Sequence, residues 1–230
     1  MSPQPSQLPR RRFLAAGASV GVIGLATLSG CAMEPSTFDI EQAVKHLMLA
    51  SADRAFVKLL APGGFWDDQL TRLDIPDRIG GRGGRFADRL LRSQAFRARL
   101  WRSLNDMAVD AARRAAPALA EAVHRIGIRN ALALVKGPPQ AATDYLHAEM
   151  GTYLVPLMVP EFDRLLRVTN DPLISEALVL LTGIDVGAIA EDLAREADTA
   201  IWREIGRSEA EIRANPGSTN DPMLRRLFAH

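Results

Sequence analysis

Asp185-Val186-Gly187-Ala188-Ile189-Ala190-Glu191-Asp192-Leu193-Ala194-Arg195-Glu196-Ala197-Asp198-Thr199-Ala200-Ile201-Trp202-Arg203-Glu204-Ile205 carries an apolar residue at every fourth position: Ile189, Leu193, Ala197, Ile201 and Ile205. That spacing follows the 3.6-residue turn of an α-helix rather than the two-residue alternation of a strand. Asp185 stands where its carboxylate can take the first free backbone N–H groups. The stretch therefore predicts one long helix with an inward face. Directly after it, Ser208-Glu209-Ala210-Glu211 has the form of a capping box, serine to backbone and glutamate back. It predicts a new short helix that Asn215-Pro216-Gly217 stops, and Asp221-Pro222 opens a last turn with Leu224, Leu227 and Phe228.

Upstream, the same period recurs. Leu173 to Leu181 is apolar nearly all round after the start signal Asn170-Asp171-Pro172, which predicts a helix in the middle of a bundle. Tyr153-Leu154-Val155-Pro156-Leu157-Met158-Val159 contains a proline expected to kink or break its helix. Pro139 opens a helix with Ala142, Tyr145, Leu146 and Met150, and a short one from Asn130 to Lys136 ends at Gly137-Pro138. Helical patterning from Phe86 puts Leu100, Leu104, Met107, Ala108 and Ala111 on one face, and Ala116-Pro117 predicts a boundary before a new helix with Leu119, Val123 and Ile126, ended by Gly127. Near the start, Ile40, Val44, Leu47, Ala55, Phe56 and Leu59 mark an amphipathic helix that Pro62-Gly63-Gly64 stops. From Phe65 to Arg85 the period is lost; Phe65, Trp66, Leu70, Leu73 and Ile75 are expected to pin the first part of this loop, leaving Gly80-Gly81-Arg82-Gly83-Gly84-Arg85 free. With no alternating strand and no fixed repeat, the fold class is all-α: a single compact bundle of about seven to nine helices with one irregular glycine-rich loop.

The N-terminus reads differently. Arg10-Arg11-Arg12-Phe13-Leu14 leads into a glycine- and alanine-rich apolar run that ends Leu28-Ser29-Gly30-Cys31. A basic start, a short apolar middle and small residues before a cut are the parts of an export signal, and the closing tetrapeptide resembles a lipobox, with cleavage between Gly30 and Cys31 and lipid on the Cys31 sulfur. An uncleaved anchor is the alternative, but Phe13 to Leu28 falls short of the ~20 residues a spanning helix needs. Arg10, Arg11, Phe13 and Leu14 also resemble the twin-arginine export motif, departing from it at Pro9 and Ala15; the general secretory route is the alternative. The organisation expected is thus a signal over 1–30, a tether over 31–36 and a helical domain over 37–230. Ala32, in place of an aspartate after the lipidated cysteine, favours the outer over the inner membrane for a periplasm-facing protein.

Composition excludes several classes. Residues 1–30 hold three arginines and no acid, so the formal charge of +1 falls to −2 for residues 31–230. That balance argues against a nucleic-acid binder and gives no sign of a second, polybasic membrane attachment. Cys31 is the single cysteine, so an intrachain disulfide, a cysteine metal cluster and a cysteine nucleophile are all ruled out. The 200 residues after the signal suffice for one apolar core.

Gly137-Pro138-Pro139-Gln140-Ala141-Ala142-Thr143-Asp144-Tyr145 resembles a motif of the bacterial Domain of Unknown Function 4197 family, and the resemblance extends to Glu211-Ile212-Arg213-Ala214-Asn215-Pro216, to Leu224-Arg225-Arg226-Leu227-Phe228 and, more loosely, from Gly64-Phe65-Trp66 to Ile75-Pro76. Leu146-His147 stands where the family usually has an aromatic and a basic residue, and Ala229-His230 replaces a terminal glycine. The resemblance implies a mostly helical envelope domain, often lipid-anchored, and supplies no reaction.

Chemistry is sparse. Asp144 and His147, three apart on one helix, could begin a metal or acid–base site, yet His46, His124, His147 and His230 show no HExxH spacing, no Gly-x-Ser-x-Gly occurs, and the glycine run lacks the Gly-Lys-Ser/Thr of a phosphate loop. Arg213 beside Asn215-Pro216 is a candidate anion ligand, or simply a last-turn arginine facing the helix dipole. The Gly137 to Thr143 corner is a packed helix junction or a ligand notch. The expectation is a binding or interaction module of the envelope with no cofactor and no metal, its partners the membrane through Cys31 and a protein or hydrophobic ligand. A carrier with a cavity lined by Tyr153, Leu157, Met158, Ile174 and Leu178 is one alternative; an enzyme built on Asp144 and His147 is another.

Overall fold

The periodic stretch after Asp185 does form a long helix, and it runs through the centre of the fold. In the computed structural model, residues 37–74, 93–168, 172, 175 and 185–229 are described. They contain seven α-helices: α1 Thr37–Leu59, α2 Gln94–Arg125, α3 Ala131–Lys136, α4 Ala141–Met150, α5 Val155–Val168, α6 Val186–Ala214 and α7 Pro222–Phe228, with a 3-10 turn at Pro216–Ser218 before the last. Among the described residues there is no strand, and the class is all-α. They belong to one compact unit.

Helix α6 starts as the sequence requires: Asp185 accepts from the N–H groups of Gly187 at 2.9 Å and Ala188 at 3.3 Å. Its repeat at Ile189, Leu193, Ala197, Ile201 and Ile205 is fully buried, against α5 and α1 on its flanks and α4 near its C-terminal half. Helix α2 closes the other side, packing on α5 and α1. Its seam is made of Ala108, Ala111, Ala112 and Ala115, all without exposure, and side chains this small let helix axes come close. Phe162, Met158, Leu119, Leu104 and Leu47 fill the volume between.

Two predicted boundaries are absent. Ala116-Pro117 does not separate two helices: α2 runs 32 residues with Pro117 inside it. Pro117 is exposed, so its missing N–H and its ring fall on the solvent side, while Ala115, Leu119 and Val123 continue the buried stripe without a break. Nor does Ser208 start a new helix. Helix α6 continues to Ala214 because its buried face continues through Ile212, and Ser208 itself is wholly buried. Its hydroxyl finds no hydrogen-bond partner among the described residues, and Glu211 bonds to Lys58 of α1 at 3.2 Å instead of turning back on its own helix.

The proline at 156 breaks its segment as expected, but from the front. Residues 151–154 are turns and α5 begins at Val155, which leaves Pro156 in the first turn, where an N–H would have had no partner. Pro160 is the proline inside α5. Of the irregular loop, residues 60–74 form a chain of turns: Phe65 and Leu73 are buried, Trp66 is half-buried and Leu70 is exposed, so two of the expected pins hold fully. The glycine-arginine stretch, Ile75, the helix expected over 173–181 apart from the helical Ser175, and everything before residue 37 lie outside the described residues. No helix among those described is long and apolar enough to cross a membrane.

Candidate functional site

The Gly137 to Tyr145 motif turns the chain between α3 and α4, and this corner sets two helix ends side by side. Helix α4 leaves the N–H groups of its first turn free, and Gln140, at its N-cap, makes no side-chain cap. The cap comes from α6. Glu209, fully buried, accepts from the N–H groups of Ala142 at 3.0 Å and Thr143 at 2.7 Å, and from the Thr143 hydroxyl at 2.6 Å. One turn on, Arg213 donates through Nε to Glu209 at 2.8 Å. It also donates through Nη1 to the Val135 carbonyl at 2.8 Å and through Nη2 to the Leu134 carbonyl at 2.9 Å.

A single acid–base pair on α6 thus neutralises opposite ends of two short helices. The carboxylate meets the positive end of α4 and the guanidinium meets the negative end of α3, the arrangement that helix dipoles favour. The Phe228 ring of α7 lies 4.9 Å from the guanidinium carbon and shields it. Glycine is needed at 137, since a Cβ there would lie 2.8 Å from the Ala133 carbonyl oxygen and 2.9 Å from the Ala141 Cβ. Tyr145 completes the corner by donating to the Gly127 carbonyl at 2.7 Å, which ties α4 to the end of α2.

Gly137, Pro138, Ala141, Ala142, Thr143, Tyr145 and Arg213 therefore come together as a packed junction. Asn215 ends α6, its N–H donating to Glu211 at 2.9 Å, and Pro216 opens the 3-10 turn. Every nitrogen of the Arg213 guanidinium is engaged inside the protein, so the anion-ligand role is not supported by its geometry. Glu209 is the residue the sequence reading missed. It appeared only as part of a capping box, although its spacing of four from Arg213 was a visible signal.

Asp144 and His147 are both exposed, and among the described residues no hydrogen bond or ion pair joins them. His147 instead stacks on Trp202 of α6, with ring centroids 4.6 Å apart and planes 18° from parallel. Beneath that stack Trp202 donates through its indole N–H to Asp198 at 3.1 Å. Burial pushes the Asp198 carboxyl above its ordinary range, against the opposing pull of His147 and of the indole hydrogen bond. This acid–imidazole pair was not anticipated. Among the described residues no group of three or more ligand side chains could hold a metal.

The expected lining of a hydrophobic cavity spreads from core to surface: Met158 is fully buried, Leu157 half-buried and Tyr153 44% exposed. Ile174 and Leu178 lie outside the described residues, as do Arg10, Arg11, Phe13, Leu14, Gly30 and Cys31.

A second cluster occupies the turn over 60–74 and the start of α2. Asn105, buried in α2, accepts from the Leu73 N–H at 3.0 Å and donates to the Leu73 carbonyl at 3.4 Å and the Trp101 carbonyl at 2.7 Å. Arg72 donates to the Trp66 carbonyl at 2.7 Å, and its guanidinium carbon sits 4.3 Å from the Trp66 ring centre. Trp66 meets Trp101 edge to face at 6.4 Å.

No curated protein and no solved structure matches this chain. A family model does, over residues 34–229, and its description is a protein of unknown function, DUF4197. It covers the whole described fold, including both ends of the α3–α4 corner and the two α6 side chains that clasp it, and the chain belongs to that family.

Proposed function

We propose that the chain is a lipid-anchored, periplasm-facing interaction module of the bacterial cell envelope, with the outer membrane its favoured site. The observation that carries the reading is Leu28-Ser29-Gly30-Cys31 closing a short apolar run behind Arg10-Arg11-Arg12, with Cys31 the only thiol in the chain. The corner gives no support to catalysis: Thr143, Tyr145 and Arg213 spend their polar groups on Glu209 and on backbone carbonyls, so that part of the family pattern is accounted for by folding. Cys31→Ser, fractionated beside the parent chain, is expected to accumulate as an unlipidated precursor. An unchanged membrane-bound mature form contradicts the anchor.

One observation favours a second reading, an acid–base site. Asp198 holds its proton above the ordinary carboxylate range next to an exposed imidazole, the kind of pairing that proton-transfer sites use. The carboxylate that His147 acts on is Asp198 of α6 rather than Asp144.

A further inference from the structure

We propose that the face formed by Trp66, Arg72, Arg97, Trp101 and Arg102 binds the phosphate headgroups of an anionic phospholipid surface. The face is built. Asn105 holds the turn on α2 through both backbone groups of Leu73, the buried side chains of Phe65 and Leu73 anchor it from below, and the Arg72 bond to the Trp66 carbonyl closes it. On this base three aromatic–cation contacts and one indole–indole contact interleave. Arg72 lies 4.3 Å and Arg102 5.2 Å from the Trp66 ring, Arg97 lies 5.7 Å from the Trp101 ring, and the two indoles meet at 6.4 Å.

Stacking occupies the flat face of a guanidinium and leaves its in-plane N–H groups available to phosphate, though Arg72 spends its Nε on the Trp66 carbonyl. Elsewhere on the described surface arginines find carboxylates, as Arg113 does with Asp110, Arg129 with Glu149, Arg167 with Asp163 and Arg195 with Glu191. Arg97, Arg99 and Arg102 are exposed and form no ion pair among the described residues. Asp106 lies close enough to Arg102 to feel its charge without bonding to it.

Whole-chain charge concealed this concentration. In sequence, residues 72–102 contain nine arginines and three aspartates, of which Arg72, Arg97, Arg99, Arg102 and Asp74 are among the described residues, so residues 31–230 reach their balance of −2 only because the remainder is acidic. A bilayer meets one face of a protein, and indole rings beside cations are the side chains that settle at headgroup level. A nucleic acid, which gains affinity by running along many cations, would meet the acidic remainder.

The inference does not depend on lipid at Cys31, and its test avoids the anchor. The chain from Ala32 onward, which keeps every described contact, is floated with phosphatidylcholine vesicles and with vesicles containing about one-third phosphatidylglycerol. Binding to the anionic vesicles alone, weakening with salt, is expected. Arg97→Gln with Arg102→Gln should reduce it by about fivefold for each arginine, at unchanged helicity. Arg225→Gln with Arg226→Gln removes the same charge from α7 and should leave binding within about twofold. Equal flotation with both vesicles, equal loss in the two double variants, or tighter binding to single-stranded RNA than to the anionic vesicles overturns the proposal.

Discussion

Glu209 and Arg213 show how much one pair of residues can settle. Neither group can be removed alone without leaving its partner charged, buried and short of bonds. Glu209→Ala and Arg213→Ala are each expected to cost about 3–5 kcal/mol by urea unfolding, and the double variant clearly less than their sum. A cost below about 1 kcal/mol for Arg213→Ala would mean that the α3 carbonyls are satisfied without it. Asp198 makes a prediction of the other sign. Its carboxyl is raised by burial first, and His147 and Trp202 only partly oppose this. Above the unfolded pKa the folded chain therefore holds the proton more tightly, and stability falls as pH rises through that window. Asp198→Asn keeps an acceptor for Trp202, so unfolding midpoints followed from acid to neutral pH should lose this slope, with no loss of stability at neutral pH. A marked loss there would show that attraction to His147 outweighs burial. Sequence could nominate Arg213 and the Gly-Pro corner, but not the carboxylate 67 residues away from Ala142 that joins them. Periodicity reports which side of a helix is buried, not which buried polar group meets which backbone end.

At the scale of elements, the apolar repeats were legible because burial in a bundle imposes the 3.6-residue period, and Val44, Leu47, Ala55 and Leu59 of α1 are as hidden as their spacing demands. What misled were local punctuation marks set against a longer packing pattern. Pro117 and Ser208 each read as a start, yet the buried stripes of α2 and α6 run straight past them, and tertiary packing outweighs a single cap or proline. Pro117 therefore carries a cost that the helix tolerates. Pro117→Ala, which restores the bond to the Arg113 carbonyl, is expected to stabilise the fold by about 1–2 kcal/mol after the gain in unfolded-chain freedom is subtracted. Destabilisation would contradict this cost. Asn105 belongs to the same scale. Its carboxamide gives the Leu73 backbone the two bonds a strand partner would give, and nothing in the sequence around it announces that.

For the whole molecule, the distribution of charge matters more than its sum. The proposed membrane contact rests on one face of the bundle, where Arg72, Arg97 and Arg102 gather around Trp66 and Trp101. The bundle was readable from composition and period, and the family from the Gly-Pro corner and the end of α6. The arginine face was not, because net charge averages over residues that the fold separates. The most direct measurement is the intact mass of the protein extracted from the membranes of its native cells. The account predicts a chain that begins at Cys31 and carries added acyl mass on that residue. A chain that still begins at Met1, or that presents Cys31 with a free thiol, would contradict it.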